Sequence, residues 1–281
     1  LMEAFEPTFM QRALVGGVIA VVATSLVGVW VVLRGLAFLG DALAHGVVPG
    51  IALAVLWGFS PIVGALVAAA VMGGLVSLIS ARTSVRDDTA IGLLFVGMLA
   101  LGIVIISKAR SFTTEVTTLL FGDLLGVTRG DINGQLVGAG IVLVATVVLY
   151  RPFLALTFNR AKAQSLGLRP GASHLAMMIL LAVSIVASFQ AVGTLLVFGL
   201  IVGPPASASL LTRRVPVMML VSMLFGSLSI VLGLAISFHA GTAGGATVAG
   251  LSVAQFFVVL LVTEIARAIA GRRDRRPAHA A

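Results

Sequence analysis

Long apolar stretches separated by short polar segments account for most of this chain. A helix needs about 20 mostly apolar residues to cross roughly 30 Å of hydrocarbon. Continuous apolar runs of that length favour helices over the alternating strands of a membrane barrel. We therefore predict an all-α, polytopic bundle in which residues 1–281 form one transmembrane domain with about nine spans, or eight if one short stretch does not cross. The nine stretches are 13–33, 40–58, 61–80, 89–107, 133–150, 172–189, 191–211, 216–238 and 246–266.

Two connecting segments carry features of their own. Segment 111–130 holds charged residues around a short apolar patch and is predicted to be a re-entrant or surface helix. Segment 151–170 has Pro152 and Pro170 near its two ends, and it is predicted to contain a short amphipathic helix. Two interpretations of it stay open: a basic loop that only fixes topology, or a surface that docks a soluble protein. Its apolar and basic residues are Phe153, Leu154, Leu156, Phe158, Arg160 and Lys162.

The composition indicates that this chain lies in a membrane and not in water. Hydrophobic residues make up 59% of it and charged residues only 10%, too few to cover the surface of a soluble domain. There is no cysteine, which excludes disulfides, thiolate metal sites and iron–sulfur clusters. The net charge of +8 comes from short basic runs between spans, so we expect contact with membrane lipid and not with nucleic acid.

The basic residues predict the orientation. With the N-terminus outside and the C-terminus in the cytosol, 14 of the 18 basic residues lie in cytosolic segments, as the positive-inside tendency requires. The tail 267–281 is then a basic cytosolic segment near anionic headgroups. The 14 residues are Arg34, Arg82, Arg86, Arg151, Arg160, Lys162, Arg169, Arg213, Arg214, Arg267, Arg272, Arg273, Arg275 and Arg276.

Asp41 and His45 are ionisable residues inside a predicted span, where each charge is costly. Four residues apart on a helix, they share one face about one turn apart. They can ligate one divalent cation such as Zn, Mn or Fe, or they can form a buried hydrogen-bonded pair with no metal. Pro49 and Gly50 follow and are predicted to interrupt the helix beside a pathway.

Two further candidates lie later in the chain. His239 is predicted at the outer end of the eighth span, either as a metal ligand or as an interfacial histidine with an ordinary hydrogen bond. Gly203 is predicted to thin its helix, and Pro204 and Pro205 are predicted to kink that helix or end its hydrogen bonding. A hinge beside a pathway and simple tight packing both fit that second group.

Several chemical motifs are missing from the sequence. It contains no G-x-x-x-x-G-K-[ST] phosphate loop, no H-E-x-x-H helix and no G-x-S-x-G elbow. We therefore expect no catalytic residues and no ATP hydrolysis by such a loop.

Four blocks of the sequence together resemble the membrane permease of the bacterial zinc/manganese/iron ABC importers, the ABC-3 family. The string at 27–54 is the most diagnostic of the four, because such permeases carry an LGDxLxHxxLPG-like motif there. A late Pro-Ser-Gly-like stretch of the family is replaced here by 242–245, Thr-Ala-Gly-Gly. The blocks are VGVWVVLRGLAFLGDALAHGVVPGIALA (27–54), LLFGDLLGVTRGDI (119–132), FNRAKAQSLGL (158–168) and VGTLLVFGLIVGPPASASLL (192–211).

This resemblance implies a half-transporter of the bacterial cytoplasmic membrane. Its implied partners are a second permease copy, a cytosolic ABC ATPase dimer and an extracytoplasmic solute-binding protein that docks near 108–131 and 239–245. Asp41 and His45 match the family positions proposed to line the metal pathway. Segment 158–168 matches the coupling helix that contacts the ATPase, with Phe158, Arg160, Ala161, Ala163, Leu166 and Gly167 as its contact residues.

The sequence is thus interpreted as the non-enzymatic permease subunit of an importer that carries Zn, Mn or Fe, with no permanently bound cofactor. Its main rival is a secondary metal transporter driven by an ion gradient. That class is expected to show inverted repeats and more buried carboxylates, and neither is evident here. A purely structural subunit is a third possibility, and it would not need the Asp41–His45 pair.

Overall fold

The computed structural model describes residues 5–83, 87–107, 127–158, 170–192 and 194–274, and these residues contain helices and no strand. Each of the nine predicted stretches corresponds to a helix or, in one case, to two consecutive helices. The helices are α1 (Thr8–Leu33), α2 (Ala37–Gly46), α3 (Val48–Trp57), α4 (Pro61–Arg82), α5 (Asp87–Ser107), α6 (Arg129–Val148), α7 (Tyr150–Phe158), α8 (Pro170–Val192), α9 (Thr194–Leu211), α10 (Val215–Ala240) and α11 (Gly244–Asp274).

The helix lengths confirm a polytopic membrane protein. Among the described residues, eight helical stretches are long and apolar enough to cross a bilayer, with α2 and α3 counted as one stretch. The apolar part of α9, Leu196–Leu211, is shorter than these eight. The predicted fold class, a membrane helix bundle with about nine spans or eight, is therefore confirmed. The two counts differ in whether α9 is counted as a span.

Helix α1 is the centre of the bundle, and it contacts α6, α8, α9 and α10. Small residues make these contacts close. A Cβ added at Gly17 would meet Ile230, and one added at Gly226 would meet Val21. These two contacts place α1 and α10 antiparallel. Close approach through glycine is how membrane helices gain packing energy when lipid removes the hydrophobic drive between them.

The helix directions define two sides of the bundle. We call the side where α1 begins the N-terminal side and the other the opposite side. Because α10 is antiparallel to α1, it ends on the N-terminal side, where α11 begins. Helix α9 runs parallel to α11, since Gly199 faces Ala249 and Gly203 faces Ser252. The turn after α1 and the described C-terminal end of α11 therefore lie on the opposite side.

Helix α7 lies on the opposite side beside the end of α1. Trp30 is fully buried and contacts the rings of Tyr150 and Phe153 at centroid distances of 5.6 and 5.8 Å. Phe153 and Leu156 also point into the core, whereas Phe158 is 67% exposed. From the sequence, these apolar residues are predicted to contact a partner protein together. That is wrong for Phe153 and Leu156, because they fill the bundle's own core.

Several predicted features lie wholly or partly outside the described residues. These are the coupling residues Arg160, Ala161, Ala163, Leu166 and Gly167, the part of segment 111–130 up to residue 126, and the tail from 275 onward. Helix α11 continues to Asp274, well past the predicted span at 246–266. The start of the basic tail is therefore helical.

Candidate metal site

Asp41 and His45 lie on one face of α2, as their spacing predicts. His45 Nε2 is 3.5 Å from Asp41 Oδ1, and the side chains are 23% and 28% exposed, respectively. An ordinary N–H···O hydrogen bond is about 2.7–3.2 Å long. The two side chains are thus close but not joined by a short hydrogen bond. Both remain partly exposed on this face of α2.

The turn before α2 fixes where Asp41 lies. Gly35 has φ of +67°, a left-handed conformation that glycine adopts without steric cost. Its N–H bonds the Val32 carbonyl at 3.0 Å, and the N–H of Leu36 bonds the Val31 carbonyl at 2.9 Å. This is a Schellman ending of α1. Helix α2 begins at Ala37, so α1 and α2 are joined by a tight turn.

A break in the helix follows one residue after His45. Helix α2 ends at Gly46 and α3 begins at Val48. Val47 between them keeps a helical conformation, with φ −78° and ψ −17°. Pro49 has no N–H and cannot bond the carbonyl of His45 four residues earlier. The predicted interruption is present, and it begins ahead of Pro49 and Gly50.

Gly50 has a packing reason to be glycine. A Cβ added at Gly50 would overlap the carbonyl of Gly64 on α4, and a Cβ added at Gly64 would overlap the carbonyl of Gly50. Gly46 likewise faces the side chain of Met72 on α4. Helix α4 therefore holds both sides of the break at close range.

Phe95 on α5 completes the surroundings of His45. The two rings meet edge to face, with centroids 5.8 Å apart and planes at 67°. Phe95 makes a similar contact with Phe38, again at 5.8 Å. The sequence analysis did not single out Phe95, because an aromatic residue in an apolar span carries no signal of its neighbours.

The pair does not form a complete metal site within one copy. Across the described residues, no group of three or more His, Cys, Asp or Glu side chains could hold an ion. Two ligands leave most coordination positions of a transition metal to water or to another chain. Such a site suits an ion that passes through better than one that is retained.

His239 lies apart from this pair, at the end of α10 on the N-terminal side. Its Nδ1 is 2.7 Å from the carbonyl of Ala235, so Nδ1 carries a proton and donates this hydrogen bond. It borders an open cavity of about 370 Å³ with Leu232, Ala235, Ile236 and Ala240. The structure thus joins Asp41 to His45 but does not bring His239 into one group with them.

Helix α9 passes through Pro204 and Pro205 without ending. An end of the helix at these prolines is therefore excluded, whereas a kink or hinge there stays a prediction. Gly28 on α1 lies against the Ile201 carbonyl and the Pro205 ring, where a Cβ would not fit. Ser252 Oγ on α11 donates to the Gly199 carbonyl at 3.0 Å.

Comparison with known families decides the class of this protein. Residues 6–263 match the model of the ABC 3 transport family, which covers nearly all of the described helices. The chain belongs to the ABC 3 transport family. It is accordingly a multi-pass protein of the bacterial cell membrane, as its eight long apolar helical stretches indicate.

Two named relatives are similar to this chain along most of their length. One is the manganese transport system membrane protein MntC of Halalkalibacterium halodurans, 35% identical over 86% of this chain and 82% of that protein. Another is the chelated iron transport system membrane protein YfeD of Yersinia pestis, 32% identical over 97% of this chain and 91% of that protein.

A solved structure of the same architecture is PsaBC from Streptococcus pneumoniae in complex with Fab. It matches with a TM-score of 0.82 and 28% identity, over 92% of this chain and 93% of that one. Its similarity confirms the polytopic helical fold, with the α2–α3 break and the prolines of α9 inside the matched family region.

Proposed function

We propose that this chain is the permease subunit of an ATP-binding cassette importer that moves a divalent transition metal into the cytoplasm. The observation that carries the proposal is the half-buried Asp41–His45 pair at a helix break in an ABC 3 family protein. Relatives are named for manganese and for chelated iron, so we propose Mn or Fe as the cargo, with Zn as the further candidate.

The distance within the pair supports coordination of one ion. Two ligand atoms, each about 2.1 Å from an ion and at a tetrahedral angle, lie about 3.4 Å apart. His45 Nε2 and Asp41 Oδ1 are 3.5 Å apart, so both can reach one cation with little movement. A carboxylate and an imidazole together accept Mn, Fe and Zn.

A second copy of the chain would complete the coordination. One Asp and one His from each of two permeases would give four ligands around an ion on their shared axis. Oligomers of this kind are usually symmetric, so the same surface of both copies would meet. Opening that contact would lower the ligand count and release the ion.

The energy would come from a separate ATPase dimer on the opposite side of the bundle, which we propose to be cytosolic. Phe158 is exposed there, at the start of the segment 158–168 that resembles a coupling helix. The N-terminal side would face outward and receive a solute-binding protein. His239 and Gly241–Ala243 lie on that side.

Transport by the reconstituted complex tests this function. Permease, ATPase and binding protein are placed in liposomes, and uptake of Mn, Fe and Zn is measured separately with and without ATP. We expect Asp41→Asn and His45→Gln to abolish uptake while the complex still assembles. Glu264→Gln is the matched control, since Glu264 forms an exposed pair with Arg267 at 2.6 Å.

Two results would contradict the proposal. Metal uptake by the permease alone, driven by an ion gradient without ATP, would favour a secondary transporter. Full uptake in both Asp41→Asn and His45→Gln would reduce the pair to a packing contact. The His239→Ala variant, assayed in parallel, decides whether that histidine contributes to uptake.

A further inference from the structure

Arg34 and His174 join two distant parts of the chain on the opposite side of the bundle. Arg34 Nη1 is 3.0 Å from His174 Nδ1 and 3.5 Å from Met177 Sδ. Arg34 is the residue directly after α1, and His174 is the fifth residue of α8. The contact therefore joins the end of the central helix to the first turns of α8.

The chemistry of the two side chains makes this contact directional. A guanidinium has only donors and keeps its charge in proteins. His174 Nδ1 must therefore accept the hydrogen bond, which leaves the imidazole neutral with its proton on Nε2. His174 is only 6% exposed, so water does not readily replace the guanidinium at this position.

On one side, the contact is connected to Asp41 without a flexible linker. Arg34 donates its backbone N–H to the Trp30 carbonyl at 3.1 Å. Gly35 and Leu36 form the Schellman turn described above, and the N–H of Leu39 bonds the Leu36 carbonyl at 2.9 Å. Asp41 is seven residues beyond Arg34, within the second turn of α2, so a displacement of Arg34 moves the site helix.

On the other side, the contact lies close in sequence to the segment proposed to touch the ATPase. That segment, 158–168, precedes α8 in the sequence, and His174 is six residues beyond its end. Helix α8 also packs against α2 and α4. The α4 contact is close, since a Cβ added at Gly73 would lie 3.1 Å from the Cβ of Met178.

We propose that Arg34 and His174 are positioning residues that transmit movement of the start of α8 to the Asp41–His45 pair. The inference rests on the proposed function, because it assigns the contact a place in ATP-driven transport. When α8 shifts with its preceding segment, His174 carries Arg34 along, and the tight turn at Gly35 passes the shift to α2.

A purely structural clip makes a different prediction. Removing such a clip would lower the thermal stability or assembly of the complex, and it would leave the number of metal ions moved per ATP unchanged. A transmission contact controls that ratio. Its loss lets ATP hydrolysis continue without opening or closing the metal pathway.

The test uses the full reconstituted complex, with ATPase rate and Mn or Fe uptake measured in the same liposomes. We expect Arg34→Ala and His174→Ala each to lower metal ions moved per ATP by about tenfold, with the ATPase rate retained. The double variant should be no worse than Arg34→Ala alone, because each single variant already removes the Arg34–His174 contact. His174→Gln keeps an acceptor atom and should restore most of the ratio, and Arg267→Ala is the arginine control.

Three outcomes would contradict the inference, and one of them would contradict the proposed function as well. If the unmodified complex transports metal and both single variants keep its metal-to-ATP ratio, the inference falls and the proposed function stands. Additive losses in the double variant would also overturn the inference, since independent roles would then explain them. An unmodified complex that neither hydrolyses ATP nor takes up metal would overturn the proposed function and the inference together.

Discussion

The imidazole of His45 and the ring of Phe95 meet edge to face across two helices, with their centroids 5.8 Å apart. His45 follows Asp41 by one helical turn, so α2 alone places both groups on one face. The orientation of the imidazole within that face depends on α5 as well. Under the proposed function, Phe95 therefore acts on the ion through His45, as residues around a metal ligand commonly do.

Replacing Phe95 by leucine should weaken metal binding without removing a ligand. We expect Phe95→Leu to raise the apparent KM for Mn or Fe by about tenfold, because the imidazole then samples more orientations. The measurement is metal uptake by the reconstituted complex against metal concentration. Phe257→Leu, an exposed aromatic residue on α11, is the control. An unchanged KM in Phe95→Leu would show that α2 alone orients His45.

The sequence predicted Asp41 and His45 for a simple reason: residues four apart on a helix share a face, so no tertiary information was needed. It did not predict Phe95, which is 50 residues beyond His45 and resembles every other aromatic residue of an apolar span. Arg34 was assigned to a topological role, and its contact with His174 requires the packing of α1 against α8.

The close contact of α3 with α4 should not tolerate a methyl group. Gly64→Ala would place a Cβ against the Gly50 carbonyl, and overpacking of this kind typically costs about 1–3 kcal/mol. We expect a lower midpoint of thermal unfolding in detergent. Gly74→Ala is the matched control on the same helix, since nothing lies within 4 Å of an added Cβ there.

Equal midpoints for these two glycine variants would show that α3 and α4 can separate at no cost. A lowered midpoint with normal uptake in Gly64→Ala would assign this contact to stability alone. A loss of uptake in Gly64→Ala larger than its unfolded fraction explains would indicate a second role. The spacing of α3 and α4 would then also set the position of the helix break after His45.

The prolines of α9 allow the hinge hypothesis to be separated from packing. Pro204 removes the N–H that would bond the Leu200 carbonyl, and a helix-interior proline is about 3 kcal/mol less favourable than alanine. We expect Pro204→Ala to raise the unfolding midpoint and to slow metal uptake, because a restored hydrogen bond stiffens the helix. Uptake that rises or stays constant would contradict the hinge.

Pro205→Ala is the comparison for packing. The Pro205 ring lies against Gly28, so its loss removes contact between α9 and α1 as well as relieving the backbone. From the sequence, Pro204 and Pro205 are expected to disturb hydrogen bonding, and that stays a prediction. The continuation of α9 through both prolines could not be predicted, since it depends on how α9 packs against α1 and α11.

Phe153 and Phe158 lie five residues apart on α7, and their truncation should have different effects on stability. Phe153 is 1% exposed and packs on Trp30, so Phe153→Ala should cost about 3–5 kcal/mol of stability. Phe158 is 67% exposed, so Phe158→Ala should leave the unfolding midpoint nearly unchanged. Under the proposed function, it should instead weaken association with the ATPase.

Co-purification of the ATPase with each α7 variant, beside thermal unfolding in detergent, checks this contrast. A Phe158→Ala variant that binds the ATPase normally and transports metal at the usual rate would remove Phe158 from the docking surface. In that case, the rest of segment 158–168 would have to make the contact with the ATPase. Bulky replacements at Ala163 or Gly167 test that contact. Under the proposed function, we expect them to uncouple ATP hydrolysis from uptake.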